Sequence, residues 1–253
     1  MALDEATLGQ LRETVRRFVS ERLIPLEAQV AEDDVVPESV VEEMRALGLF
    51  GLSIPEKYGG LGLSMFEEVQ IAFEFGRTSP AFRSVIGTNN GIGSHGIIID
   101  GTETQKNYYL PLLARGEIIS AFALTEPQSG SDAASISTTA RREGDEYVIN
   151  GTKRYITNAP EASLFTVFAR TAPKADGVKG ISALLVEGDT PGITIGPWDR
   201  KMGQRGAHTA DVTFTDCRVS ADALISGTEG VGFKTAMKAV SYTHLTLPTN
   251  REV

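Results

Sequence analysis

Apolar residues in the first part of the chain recur every three or four places. Leu8, Leu11, Val15, Phe18 and Val19 share one helical face, with Arg12, Glu13, Arg16 and Arg17 mostly opposite. Pro25 ends or bends that helix. Pro37 fits the first turn of a second helix running to about Ala46, and Gly48 supplies its stop. Ser64 with Glu67, and Thr102 with Gln105, form capping-box patterns. The first precedes Val69, Ile71, Ala72 and Phe75, and the second precedes Tyr108, Tyr109, Leu112 and Leu113, which predicts two further helices.

After Glu117 the period becomes two. Residues 146–149 and 153–157 flank Asn150-Gly151, the favoured dipeptide of a two-residue hairpin turn. Residues 164–170 and 181–186 are β-rich runs, and Pro191-Gly192 marks a turn before Ile193 and Ile195. Residues 211–217 alternate, with Val212 and Phe214 on one face. Helices followed by strands, without βαβ alternation, predict an α+β multidomain protein. An all-α N-terminal domain spans 1–118, and an antiparallel β-barrel or sandwich domain spans 119–226. Residues 172–180, with Pro173, Gly177 and Gly180, read as a loop within the β domain. Residues 227–240 form a glycine-rich turn feeding a new helix through Phe233, Ala236, Met237 and Val240. Residues 241–253, SYTHLTLPTNREV, do not continue its pattern. A helix begun with no further helix to pack against is a physical oddity, because helical stability comes mostly from tertiary burial.

Composition narrows the function classes. The 253 residues are 41% hydrophobic, enough for a buried core, with a net charge of −9. The 24 Lys and Arg are scattered among 33 Asp and Glu without a basic patch, which argues against a nucleic-acid partner. The single cysteine, Cys217, excludes an intrachain disulfide framework and suits a cytoplasmic protein. His95, His208 and His244 lie far apart, so no metal site is expected. No apolar run approaches a membrane span, and the polar, acidic start MALDEATLGQ is no signal peptide.

Three segments carry candidate chemistry. The run from Gly91 through Gly93 to Gly96 satisfies GxGxxG, but a dinucleotide fingerprint needs a strand before it and a βαβ unit around it. Its surroundings favour a helix connection. Gly59-Gly60-Leu61-Gly62 lacks a following GK[ST] and reads as a tight turn. Residues 122–132, FALTEPQSGSD, lie where helices hand over to strands, and ligand sites favour such junctions. Thr125, Ser129 and Ser131 offer hydroxyls, and Gly130 permits close backbone approach. An ordinary polar turn beside the first strand explains the same residues equally well.

The segment from Ala123-Leu124-Thr125-Glu126 to Gly130-Ser131-Asp132 resembles the signature of the acyl-CoA dehydrogenase family of flavoproteins. Further matches follow in order. They are the run from Gly51 to Gly60, the run from Gly101 to Ala114, and the stretch from Asn150-Gly151-Thr152-Lys153 to Tyr155-Ile156-Thr157-Asn158. The run from Lys201 to Arg205, with Thr209, Phe214 and Asp216, completes them. Together they cover nearly all of residues 8–240.

The resemblance implies FAD lying between the β domain and a C-terminal four-helix domain. It places Phe122, Leu124, Thr125, Gly130 and Ser131 along the flavin, with Ser131 also near the thioester substrate. Tyr155 takes the aromatic position against the ring, Ile156 follows it, and Thr157 sets its hydroxyl near flavin N5. Taken singly, Tyr155 reads as a cross-strand aromatic and Thr157 as a strand former. The implied reaction is α,β-dehydrogenation of an acyl-CoA thioester. A glutamate base removes the α-proton, the β-hydrogen leaves as hydride to the flavin, and electrons pass to an electron-transferring flavoprotein. The intact parent would be a homo-oligomer, a tetramer or a dimer.

Two departures bear on that picture. The family's catalytic glutamate comes from beyond Val240, so no catalytic residue is expected within this sequence. Relatives continue the helix after Met237 with an Asp and an Arg, where this chain reads SYTHLTLPTNREV. The expectation is therefore a truncated enzyme, inactive alone, with all but the first turns of the four-helix domain missing and a foreign or frame-shifted tail. Ala207 stands where relatives usually carry Ser. The alternatives are a non-catalytic short subunit pairing with a full-length relative, or a same-fold acyl-CoA oxidase or flavin monooxygenase.

Overall fold

A computed structural model of the chain describes residues 3–241. Over these, seven helices are followed by seven strands and an eighth helix, with short single-turn segments between them. Helix α1 is Glu5–Phe18, α2 Glu27–Asp33 and α3 Glu38–Ala46. Pro25 bends the chain without stopping it, because one π turn, Val19–Leu23, absorbs the missing hydrogen bond and leads on towards α2. Pro37 caps α3 from just outside, and Gly48 ends that segment at φ +70°. Both capping boxes form, at the starts of α4 (Met65–Phe75) and, after α5 (Pro80–Asn90) and α6 (Ile92–Asp100), of α7 (Glu103–Ala114).

The GxGxxG run proves to be a packing device at the α5–α6 joint. A Cβ on Gly93 would stand 1.9 Å from Ser120 Oγ and 2.8 Å from the Thr88 carbonyl, so only glycine lets α6 lie this close to the first strand.

Strands β1 (Ser120–Ala123), β2 (Thr139–Glu143), β3 (Glu146–Thr157), β4 (Leu164–Arg170), β5 (Ile181–Glu187), β6 (Ile193–Ile195) and β7 (Thr209–Ser220) form one sheet. Its order is β1-β4-β2-β3-β7-β6, with β5 on the far edge of β4. The sheet is mixed, not wholly antiparallel: β1 runs parallel to β4 over Ser120–Leu164 to Ala123–Val167, and β2 meets β4 in parallel at Thr139–Arg170. The chain reaches β4 from β1 only after passing through β2 and β3, which is what allows a parallel pair.

The hairpin lies elsewhere than Asn150-Gly151. Strand β3 runs straight through that dipeptide, and the β2–β3 turn is made by Gly144, at φ +63°, with Asp145. Asn150 is held in the sheet by reciprocal bonds with Asp216, its Oδ1 accepting from Asp216 N at 2.9 Å and its Nδ2 donating at 3.1 Å. The register slips between Ile149 and Gly151, so the local twist that suggested a turn is taken up as a bulge.

The eighth helix, α8 (Gly232–Ser241), does have a partner. It packs on α6 and β5, with Ala236 and Ala239 fully buried. Thr235 Oγ1 and Lys238 Nζ donate to the two oxygens of Asp100 at 2.7 and 2.8 Å. The tail beyond Ser241 lies outside the described residues. No helix among the described residues is long and apolar enough to cross a membrane.

Three apolar cores result. One fills the helical domain around Phe18, Met44, Phe50 and Phe82, and one fills the β domain around Tyr147, Phe165 and Phe214. The third sits at the junction, where Ile97, Leu113, Leu124, Phe168, Leu185 and Ala236 meet. Polar side chains lock the same junction. Asn89 is fully buried, donates to the Leu113 and Ile118 carbonyls at 3.0 and 2.8 Å, and accepts from Ser120 N at 2.9 Å. Asn158 donates to Ser84 O and Thr88 Oγ1. His208 pairs through Nδ1 with Glu161 and through Nε2 with Asp34 O at 2.7 Å. Helical and β domains are thus held in one fixed relation. Ala207, the departure from the usual Ser, is buried in the helical-domain core, where a methyl needs no partner.

Candidate functional site

The segment after β1 is shaped from inside. Glu126 and Ser129 exchange backbone hydrogen bonds of 2.9 and 3.0 Å across Pro127-Gln128, a tight turn for which proline pre-sets φ. The Glu126 side chain turns inward and is 3% exposed. It accepts from Lys153 Nζ at 2.8 Å, Thr138 N at 2.9 Å, Ser137 N at 2.6 Å, Ser137 Oγ at 2.9 Å and Gln128 Nε2 at 2.7 Å. Lys153 is fully buried, and its second bond goes to the Leu124 carbonyl at 3.1 Å. Next to it, Arg154 N donates to the Thr125 carbonyl at 2.8 Å.

Burial alone would raise the Glu126 carboxyl. The charge and hydrogen bond of Lys153, with bonds from Thr138 and Ser137, outweigh it and bring the group down to about 2. Burial of Lys153 works the other way and takes its ammonium down to about 8, against the pull of Glu126. The asymmetry follows from coordination: the carboxylate gathers five donors, while the ammonium has two acceptors.

With the carbonyls of Leu124 and Thr125 drawn into the protein, the other side of the segment is left unengaged. The backbone amides of Thr125, Gly130 and Ser131 donate to no acceptor among the described residues, nor do the hydroxyls of Thr125 and Ser131. Gly130 has no positive φ, and a Cβ there would meet only Thr125 Cγ2 at 3.8 Å. The protein's own packing does not require that glycine. Arg170 steadies the chain beyond the motif, donating to the carbonyls of Ile136, Ala134 and Gly177 at 2.7, 2.7 and 3.0 Å.

Strand β3 supplies the neighbouring wall. Its pairing with β7 slips between Lys153 and Ile156, so that both of these side chains face inward. Tyr155 is thrown outward at φ +56°, uncommon for an aromatic residue, and is 58% exposed with the Arg154 guanidinium 4.9 Å over its ring. Thr157, two residues on, is half-buried, and its hydroxyl has no partner among the described residues. A loop with free N–H and O–H donors thus stands beside an exposed aromatic and a free threonine hydroxyl, at the junction of helices and sheet. This set can hydrogen-bond an anionic or heteroaromatic ligand and cover its face.

Comparison with known proteins decides the lineage. The family model described as acyl-CoA dehydrogenase, N-terminal domain, matches residues 5–117, and the middle-domain model matches residues 121–217. The chain belongs to the acyl-CoA dehydrogenase family. It is 41% identical over 234 residues to the short-chain specific acyl-CoA dehydrogenase, mitochondrial, of Homo sapiens, covering 92% of this chain and 56% of that protein. A structure reported for the electron transferring flavoprotein of Acidaminococcus fermentans superposes with a TM-score of 0.88 at 34% identity, covering 95% of this chain and 62% of the other. An acyl-CoA dehydrogenase complexed with FAD from Bacillus anthracis gives 0.83 at 34% identity, covering 95% and 41%. The chain therefore spans little more than half the length of the human relative.

Within this acyl-CoA dehydrogenase fold, the residues expected at the site divide into two groups. Thr125, Gly130, Ser131, Tyr155 and Thr157 present free groups or exposed surface. The side chains of Leu124 and Ile156 are buried in the junction core and the β core, while Phe122 is half-buried against Phe168 with ring centroids 4.7 Å apart. These three shape the site from behind. Sequence reasoning assigned no role to Glu126, Lys153 or Arg170. The available signal was confined to Arg170, which closes the largely apolar run 164–169; Lys153 stands among Asn150, Thr152 and Arg154 and reads as a surface lysine. A separate cavity of about 280 Å³ lies between α3 and the β domain, lined by Val41, Val85, Asn158, Glu161 and His208, and touches none of the site residues.

Proposed function

We propose that this chain is the FAD-holding portion of an acyl-CoA dehydrogenase acting on a CoA thioester. The observation that carries the reading is the row of unengaged donors on Thr125, Gly130 and Ser131 beside Tyr155 and Thr157. FAD, when bound, supplies the acceptor for the hydrogen leaving the substrate's β-carbon. The chain's own residues would bind and orient it: the amides and hydroxyls of the 125–131 loop hold polar edges, Tyr155 shields a ring from water, and Thr157 offers a hydroxyl. Ser131, exposed at the end of the loop, suits contact with the thioester as well.

The proton-abstracting base lies outside this sequence on this reading. Glu126 is the buried carboxylate of the loop, but at about 2, with five donors on it, it is far too weak a base for a weakly acidic α-proton. An electron-transferring flavoprotein as redox partner, a homo-oligomeric parent and a cytoplasmic location belong to the same proposal, the last supported by the single buried cysteine. The same proposal divides the chain at 118/119 and 226/227; what supports it is that the first cut falls between α7 and β1 and the second ahead of α8.

The test is direct. The purified 253-residue chain titrated with FAD should quench flavin fluorescence saturably, and added acyl-CoA should leave the bound flavin's colour unchanged. Absence of saturable quenching would remove the cofactor reading. Bleaching by acyl-CoA would show that a base is present after all.

A further inference from the structure

We propose that Lys153 and Glu126 are positioning residues that set the two walls of the cofactor site against each other. The proposal rests on the FAD reading above for its ligand, and on the geometry of the pair for everything else.

Lys153 is the only point at which one side chain ties both ends of the Leu124–Thr125–Glu126 turn among the described residues, through Leu124 O and Glu126 Oε1. Its own strand carries the bulge that exposes Tyr155 two residues later. The backbone bond from Arg154 to Thr125 continues the same seam. Glu126 extends it to Ser137 and Thr138, where the chain enters β2. One buried ion pair therefore fixes loop, strand and bulge in a single register. Because it holds the Leu124 carbonyl inward, it also turns the free amide of Thr125, on the same trans peptide plane, the opposite way.

Stability alone does not account for this arrangement. A buried ion pair contributes little net stability compared with apolar side chains of equal volume, since both ions lose their water. Apolar residues could fill the space, but they could not hold the Leu124 carbonyl. The seam needs a donor at position 153 and an acceptor at 126, and the sheet interior requires their charges to cancel.

The test separates positioning from bulk stability by comparing Lys153→Met with the double variant Glu126→Gln/Lys153→Met. The double variant removes both charges and keeps the core neutral. Two readouts are taken: amide hydrogen exchange at Glu126, Ser129 and Arg154, whose N–H groups are hydrogen-bonded along the seam, referenced to α4, and the FAD dissociation constant with the position of the flavin absorption band. Positioning predicts that the double variant folds with α4 protection intact, yet exchanges the hydrogen-bonded amides of Glu126, Ser129 and Arg154 at least tenfold faster. It also predicts FAD binding at least tenfold weaker, with a shifted band. A double variant with loop exchange and FAD affinity within twofold of the unaltered chain would overturn the proposal, and so would failure of both variants to fold. If the unaltered chain binds no FAD, the cofactor reading falls, while the exchange arm still decides the positioning of the loop.

Discussion

Replacing Glu126 by glutamine leaves Lys153 fully buried with no counter-charge, and the consequence can be worked from its surroundings. In the unaltered chain burial already holds the ammonium down to about 8 despite Glu126. Without that charge only neutral acceptors remain, the Leu124 carbonyl and the glutamine's own amide oxygen, and the native state does best by releasing the proton. An unfolded lysine titrates near 10.4, so a neutral native amine at pH 7 costs about 4–5 kcal/mol, of which about 3 kcal/mol is already present with the group near 8 in the unaltered chain. The substitution adds roughly the remaining 1–2 kcal/mol and also removes about 3 kcal/mol that the carboxylate gains on folding, for a total of about 3–5 kcal/mol, as for other buried pairs that lose one partner. At about 2 kcal/mol per molar, the urea midpoint would fall by about 2 M.

The sign of the pH dependence is a second signature. In Glu126→Gln the unfolded state binds one more proton than the native state at neutral pH, so stability rises with pH by about 1.4 kcal/mol per unit between pH 7 and 8. In the unaltered chain this group adds a rise only above about 8. Glu126, held down to about 2, adds stability present above about 4.5 and lost as pH falls towards 2; the variant lacks that acid-side loss. Urea titrations at several pH values from 3 to 9 read both effects. A midpoint at pH 7 unchanged by the substitution, with parallel pH profiles, would refute the reasoning.

Gly130→Ala tests the open side of the loop: stability should stay within about 1 kcal/mol by urea unfolding, because nothing in the protein crowds a Cβ there, while FAD affinity falls at least tenfold in a fluorescence titration. Gly93→Ala should cost about 1–3 kcal/mol in the same unfolding assay, since its Cβ would collide with Ser120 Oγ and the Thr88 carbonyl, and should do so without any cofactor present. Phe168→Ala opens the junction core beneath Phe122 and should cost about 3–5 kcal/mol, read as an earlier urea transition. Asn89→Ala strands the buried Ser120 amide and two carbonyls; faster amide exchange at Ser120 than in α4 would report the loosened joint.

Much of the architecture was legible as local pattern. The 3.6-residue period, the two capping boxes and the alternation of Val212 and Phe214 each depend on neighbours within one or two turns of chain, so they survive reading in one dimension. The order of motifs along the chain likewise determined the family. Asn150-Gly151 was misleading for a physical reason: its turn propensity was overruled by Asp216, far along the chain in β7, which bonds Asn150 within the sheet.

The site divides in the same way. The hydroxyls, the glycine and the aromatic could be named from the sequence, because residue type alone limits what they can donate or cover. Which of them face outward was decided by the tertiary structure. Tyr155 is exposed because a register slip against β7 inserts it where simple alternation would not. Phe122, Leu124 and Ile156 are claimed by cores assembled from segments far apart in sequence. The inward pull of Lys153 and Glu126 exists only once β3 lies beside the loop that follows β1. A charged residue shows in the sequence; whether it is buried and which partner it takes are chosen by the fold, because only burial makes pairing compulsory.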